Sequence, residues 1–231
     1  VMLCHSRLNL AESATRREKL VPCSSAVTEI IHQLAESLGK AIDAKDTYTL
    51  AHSEEVAIIS QALALAMGLG HQAADIIHVA GHLHDLGKIG VPDDILAKTS
   101  ALTPKEWLGD VYKRQIRRHP DMGADILAPI ACLRDCGIVD MVRAHHERFD
   151  GNGYPQGLKG GHIPLGARII TVADSLSAML QSRPYRQAKS FDEACREIIK
   201  GTGSQFDPDV VKAFMSIRDR LRDLVAMLRV D

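Results

Sequence analysis

The chain has 231 residues, with 28 lysines and arginines against 29 aspartates and glutamates, for a formal net charge of -1. That length suits one large domain with a substantial core, and the balanced charge argues against a globally basic nucleic-acid polymer binder or an acidic disordered tail. Hydrophobic residues at 45% and charged residues at 25% are the mix of an ordinary soluble globule, while aromatics at 4% argue against an aromatic-rich β-sandwich or barrel.

From Val1 to Leu20 the chain is polar and charged and lacks the apolar core of a signal peptide. No apolar run is long enough for a membrane span. The five cysteines, at 4, 23, 132, 136 and 195, include no Cys-x-x-Cys pair and read as reduced thiols of a cytoplasmic protein. Residues 1–40 read as an N-terminal linker or helix, the end of an upstream regulatory region. Residues 41–231 read as a single all-α domain.

The periodicity is helical almost throughout. Val27, Ile30, Ile31, Leu34, Leu38 and Ile42 predict a helix over about 25–44. Its apolar stripe leaves two options open, a homodimer contact or packing on the domain's own core. Val56, Ile59, Leu63 and Met67 predict a helix over 53–67 that ends at Gly68. Ile76, Val79, Ala80 and Leu83 predict a third over 72–86 that stops at Gly87. Thr103-Pro104-Lys105-Glu106 and Ser190 with Glu193 are capping boxes, and Asp207-Pro208 is a further helix start. Helices are expected at about 137–147 and 165–181, and the last stretch, with Ile217, Leu221, Leu224 and Leu228, is amphipathic. Between Arg148 and Gly166 lie six of the seventeen glycines and two prolines, the composition of a long functional loop.

The eleven histidines are the unusual entry in this composition. Imidazole nitrogens and carboxylate oxygens together suit divalent transition metals. A carboxylate can bridge two ions, and two ions about 4 Å apart can activate one water and clamp a phosphate. His84-Asp85, followed by Gly87-Lys88, and His145-His146, just before the Gly-rich loop, are the two strongest pairs. His52, His119 and Asp174 are single candidates. His5, His32, His71, His78 and His162 read as ordinary surface or core residues, and His82, which should face away from His84, reads as structural.

Leu83 to Pro92 (LHDLGKIGVP) resembles the core signature of the HD superfamily of metal-dependent phosphohydrolases, and His145 to Pro155 (HHERFDGNGYP) that of its HD-GYP subfamily. The resemblance runs from about Asp43 to Phe214. It implies an all-α, HD-domain-like helical bundle with a long Gly-rich GYP loop, and hydrolysis of the bacterial second messenger cyclic di-GMP to linear pGpG or on to GMP. It implies metal ligands at His52, His84, Asp85, His119, His145, His146 and Asp174, with Asp85 bridging two ions, iron or manganese. Asp85 and Lys88 are then the catalytic pair, Lys88 stabilising charge or protonating the leaving oxygen, and Arg183 and Arg186 hold substrate phosphates. Gly153, Tyr154 and Pro155 are associated with protein partners and with shaping the site. The alternatives are a degenerate module that binds cyclic di-GMP or proteins without turnover, and a phosphohydrolase of another cyclic dinucleotide such as 3',3'-cGAMP.

Four features depart from the family pattern. Tyr48 replaces a glutamate that supports a third ion in some members, which favours two ions and pGpG as product. Glu55 stands where an arginine is usual. Ser177 stands where a second aspartate follows Asp174; a serine cannot supply that charge, so weaker support of the site and lower turnover are expected. Extra residues around Gly109 to Gln115 either lengthen a helix that delivers His119 or are foreign text.

Overall fold

The computed structural model describes residues 25–46, 51–96, 111–182 and 187–229. These form α1 (Ser25–Lys45), α2 (His52–Ala66), α3 (His71–Leu83), a 3-10 turn at Leu86–Gly90, α4 (Asp93–Leu96), α5 (Val111–Ile116), α6 (His119–Leu127), α7 (Ala131–Asp135) and α8 (Ile138–Ala144). A second 3-10 turn at Gly160–His162 is followed by α9 (Leu165–Leu180), α10 (Phe191–Lys200), α11 (Pro208–Ser216) and α12 (Arg218–Leu228). Among the described residues there is no β-strand, only an isolated bridge between Thr202 and Phe206, and no helix is long and apolar enough to cross a membrane. Thr103-Pro104-Lys105-Glu106, Tyr48, Arg183, Arg186, Cys4, Cys23 and His5 lie outside the described residues.

The core is built on α2, which packs against α3 and α9; α3 in turn meets α1 and α8, and α6 lies against both α8 and the 3-10 turn. Val56, Ile59, Leu63, Val79, Leu83, Val142, Ile169, Ile170, Val172 and Leu176 fill the space between them. A buried aliphatic side chain contributes roughly 1.5–3 kcal/mol, so this interior fixes the helix ends from which the site is assembled.

One expected helix limit and one expected buried face differ in the structure. The third helix ends at Leu83 rather than 86, because the backbone at Asp85 (φ -96°, ψ 6°) leaves the α region and continues as a 3-10 turn through Gly90. In α1 the buried positions are Ala35, Gly39, Ile42 and Asp43, while Ile30, Leu34 and Leu38 are exposed. The predicted stripe therefore turns largely outward, since Gly39 is what lets α1 sit close: a Cβ there would lie 3.0 Å from the His82 carbonyl oxygen. The helix starts at Ser190, a complete capping box, and at Asp207-Pro208 form as their residues require.

Candidate metal centre

Six of the seven predicted ligands sit at or near a helix end, and the seventh, Asp174, lies inside a helix. His52 opens α2, His84 and Asp85 follow α3, His119 opens α6, His145 and His146 follow α8, and Asp174 lies within α9. The break after Leu83 matters here. Successive residues of an α-helix diverge, but the 3-10 turn eclipses side chains three apart, which puts Lys88 Nζ 2.7 Å from Asp85 Oδ2. Gly87 lets this turn approach α6: a Cβ there would lie 1.8 Å from the His119 carbonyl oxygen, a clash no side chain could accommodate.

Asp85 is the centre of the arrangement. Its Oδ1 lies 3.1 Å from His119 Nε2 and 4.0 Å from His145 Nε2, while its Oδ2 lies 3.2 Å from His84 Nε2. Ligating atoms of Asp85, His119, His145 and His146 fall within 4.8 Å of one another, and so do those of His52, His84 and Asp85. Asp174 joins the second set, its Oδ1 3.2 Å from His52 Nε2. The seven residues thus converge as two groups sharing one carboxylate.

The imidazoles are oriented by backbone. His84, His119 and His145 each donate Nδ1–H to the carbonyl three residues earlier, of Gly81, Ile116 and Val142, at 2.7, 2.7 and 2.6 Å. That orients each ring so that its Nε2 faces the site, the usual support of a metal-binding histidine. His84 Nε2 is buried with no hydrogen-bond partner, although buried polar atoms are almost always satisfied. An unsatisfied imidazole nitrogen amid carboxylate oxygens and further imidazoles fits a divalent transition ion. Val111–Ile116 forms α5, and its Ile116 carbonyl is the one that orients His119.

The electrostatics follow from burial and proximity. Burial opposes charge on His84, but the Asp85 carboxylate outweighs it and holds His84 up at about 9. Burial likewise disfavours a charged Asp85, yet Lys88 and His84 keep its carboxyl well below the usual range. Asp174 is also held low, by the His52 hydrogen bond and by the charges of His52 and His84 against its burial. Burial and the neighbouring His119 push His146 down to about 3. Lys88 is buried, but Asp85 and Asp46 raise it, so it remains a fixed cation.

Two features escaped sequence reasoning, and a third gives the contacts behind the expected shaping of the site by Gly153, Tyr154 and Pro155. Asp46 accepts a 2.8 Å hydrogen bond from Lys88, so Lys88 spans two carboxylates. Tyr154 stacks on His146, with ring centroids 4.8 Å apart, and the Arg117 guanidinium lies over the Tyr154 ring; the GYP tyrosine therefore lines this site. Finally, Ser177 and Glu55, expected as separate weaknesses, act together. His52 Nδ1–H donates to Ser177 Oγ (2.9 Å), Ser177 O–H donates to Glu55 Oε2 (2.6 Å), and Arg229 clamps Glu55 through Nε and Nη2 at 2.6 and 2.9 Å. A carboxylate thus reaches His52 through the hydroxyl.

A helical bundle that brings these histidines and aspartates together into groups that could hold metal ions is the arrangement of an HD-type domain. The HD domain profile matches residues 18–210, and the chain belongs to the HD domain family. It is 36% identical over 200 residues to the "Cyclic di-GMP phosphodiesterase" of Thermotoga maritima, covering 85% of this chain and 52% of that protein. It is 34% identical over 203 residues to "3'3'-cGAMP-specific phosphodiesterase 3" of Vibrio cholerae, covering 88% and 42%. The fold is similar to the crystal structure of a V. cholerae cyclic GMP-AMP specific phosphodiesterase, with a TM-score of 0.65 at 20% identity, covering 87% of this chain and 51% of that one. The chain spans about half the length of the curated relatives it matches.

Proposed function

We propose that the chain hydrolyses cyclic di-GMP to linear pGpG, with GMP as the product of any second cleavage, as an HD-GYP phosphodiesterase carrying two iron or manganese ions. The observation that carries this reading is Asp85, whose two oxygens face two separate histidine groups while Lys88 sits against one of them. His52, His84 and Asp174 would hold one ion, His119, His145 and His146 the other, and Asp85 would bridge them. Bound divalent ions would supply the Lewis acidity that polarises a phosphodiester and makes a neighbouring water a better nucleophile. In the reaction the water oxygen bonds to phosphorus, the bond from phosphorus to the 3' oxygen breaks, and that oxygen takes a proton. Lys88, held charged by Asp85 and Asp46, suits electrostatic stabilisation of the anionic transition state better than proton donation. Tyr154 on His146 bounds the site, and Arg183 and Arg186 hold the substrate phosphates, as forked guanidinium groups suit them. Gly153, Tyr154 and Pro155 remain the proposed contact for a protein partner, and residues 1–40 the proposed connection to an upstream regulatory region.

Protein loaded anaerobically with Fe(II) or Mn(II) and given cyclic di-GMP should release pGpG, and Asp85→Ala should lose both turnover and bound metal. An active, metal-loaded Asp85→Ala protein would overturn this mechanism. Tight binding without turnover would instead identify a sensing module. Faster cleavage of 3',3'-cGAMP, the substrate in the name of one relative, would reassign the specificity.

A further inference from the structure

A second group of three histidines lies between α1 and α3, distinct from the centre around Asp85. His78 and His82, one turn apart on α3, present Nε2 to Nε2 at 3.2 Å, and His32 of α1 stacks on His78 with ring centroids 4.8 Å apart. One ligating nitrogen from each of the three falls within 4.8 Å of the other two. Two nitrogens bound at about 2.0–2.1 Å to one tetrahedral ion lie about 3.3 Å apart. The spacing between His78 and His82 therefore matches a chelate, and it equals the 3.2 Å between His119 and His145 in the metal centre.

We infer that His32, His78 and His82 form a further binding site for a divalent ion of the zinc class, which ties α1 to α3. Three imidazoles are a borderline-soft nitrogen set, which zinc accepts and magnesium or calcium does not. Two of them are supplied by adjacent turns of one helix, so most of the chelate is preorganised. His78 and His82 are buried while His32 is half-buried, so an ion reaches the group from the α1 side. Glu36, one turn after His32, is paired with Lys40 at 2.6 Å and adds only a weak negative field at His32 and His82. The site shares no ligand with the centre around Asp85, so it stands or falls independently of the proposed phosphodiesterase activity.

The test compares wild type with His32→Gln after loading with Zn(II) and gel filtration, with zinc per chain read by elemental analysis. The wild type should retain one zinc more than His32→Gln. Losing a ligand should weaken that zinc by more than the roughly 10–100-fold typical of losing a supporting partner. Asp85→Ala, with the other centre disabled, should keep this zinc, and a zinc-dependent rise in melting temperature should be present in Asp85→Ala and absent when His32→Gln is added. Equal zinc content and equal thermal shifts in wild type and His32→Gln would overturn the assignment and leave the trio as a packed, hydrogen-bonded cluster. His32 is half-buried on a surface helix, so this variant remains decisive if His82→Gln fails to fold.

Discussion

At Ser177 a hydroxyl stands between a buried carboxylate and an imidazole of the metal centre. Its O–H is committed to Glu55, so its oxygen accepts from His52 Nδ1 and leaves His52 Nε2 facing Asp174. Removing the hydroxyl strands a buried Nδ1–H and frees the imidazole to rotate, and losing a partner of this kind costs roughly 10–100-fold in metal affinity. Ser177→Ala should therefore bind Mn(II) at least about tenfold more weakly than wild type, by calorimetric titration of EDTA-stripped protein. Ser177→Thr, which keeps the hydroxyl, should bind nearly as wild type does. Equal affinity in wild type and Ser177→Ala would show that the chain from Glu55 does not support the centre. His84-Asp85 and His145-His146 were legible because they are adjacent pairs in distinctive text, whereas His52, His119 and Asp174 stand singly and were placed as ligands only by the family resemblance. The supports of these residues were not legible. Lys88 meets Asp46 across 42 residues and Glu55 meets Arg229 across 174, and only the fold brings such pairs together. The same limit applied to His32, His78 and His82, each of which is unremarkable until α1 packs on α3.

Helix α3 shows what periodicity can and cannot convey. Its apolar spacing fixed its existence and inward face, but not its end, because Gly87 was read as a stop when its role is to admit the His119 backbone. The helix instead ends where Asp85 must turn inward. The sign of α1 was lost for a related reason: larger aliphatics define its stripe, yet the buried face uses Ala35 and Gly39, small enough for close approach. Carrying buried neutral histidines also gives α3 a pH signature. His82 sits at about 3 when folded, against an ordinary 6.5. Between those values the unfolded chain holds a proton that the folded chain does not, so stability falls as pH falls through that window. In metal-free protein, lowering pH from about 7.5 to 5.5 should cost about 1 kcal/mol through His82 alone. His146, also near 3, adds in the same direction, whereas His84, held near 9, contributes stability that is lost only at higher pH. Urea midpoints with EDTA at the two pH values measure this, and His82→Gln should flatten the dependence by about 1 kcal/mol. An unchanged pH dependence in that variant would mean His82 is protonated in the native state.

For the molecule as a whole, α1 has two faces with different tasks. One carries His32, Ala35, Gly39 and Ile42 towards α3 and α2; the other displays Ile30, Leu34 and Leu38, which are 55%, 58% and 43% exposed. Large apolar side chains four residues apart make a continuous ridge, and a ridge of that kind is normally covered. We propose a second copy of the chain as its partner, because two such ridges related by a two-fold axis would present the same patch to each other. The wild-type protein should then be a dimer by light scattering. Leu34→Lys, which places two like charges in the contact, should be a monomer. None of the proposed ligands of the candidate metal centre lies on α1, so the monomeric variant should still bind Mn(II) with wild-type affinity. A monomeric wild type would remove the dimer, and a Leu34→Lys protein that lost metal would show that the outer face of α1 supports the site rather than a partner.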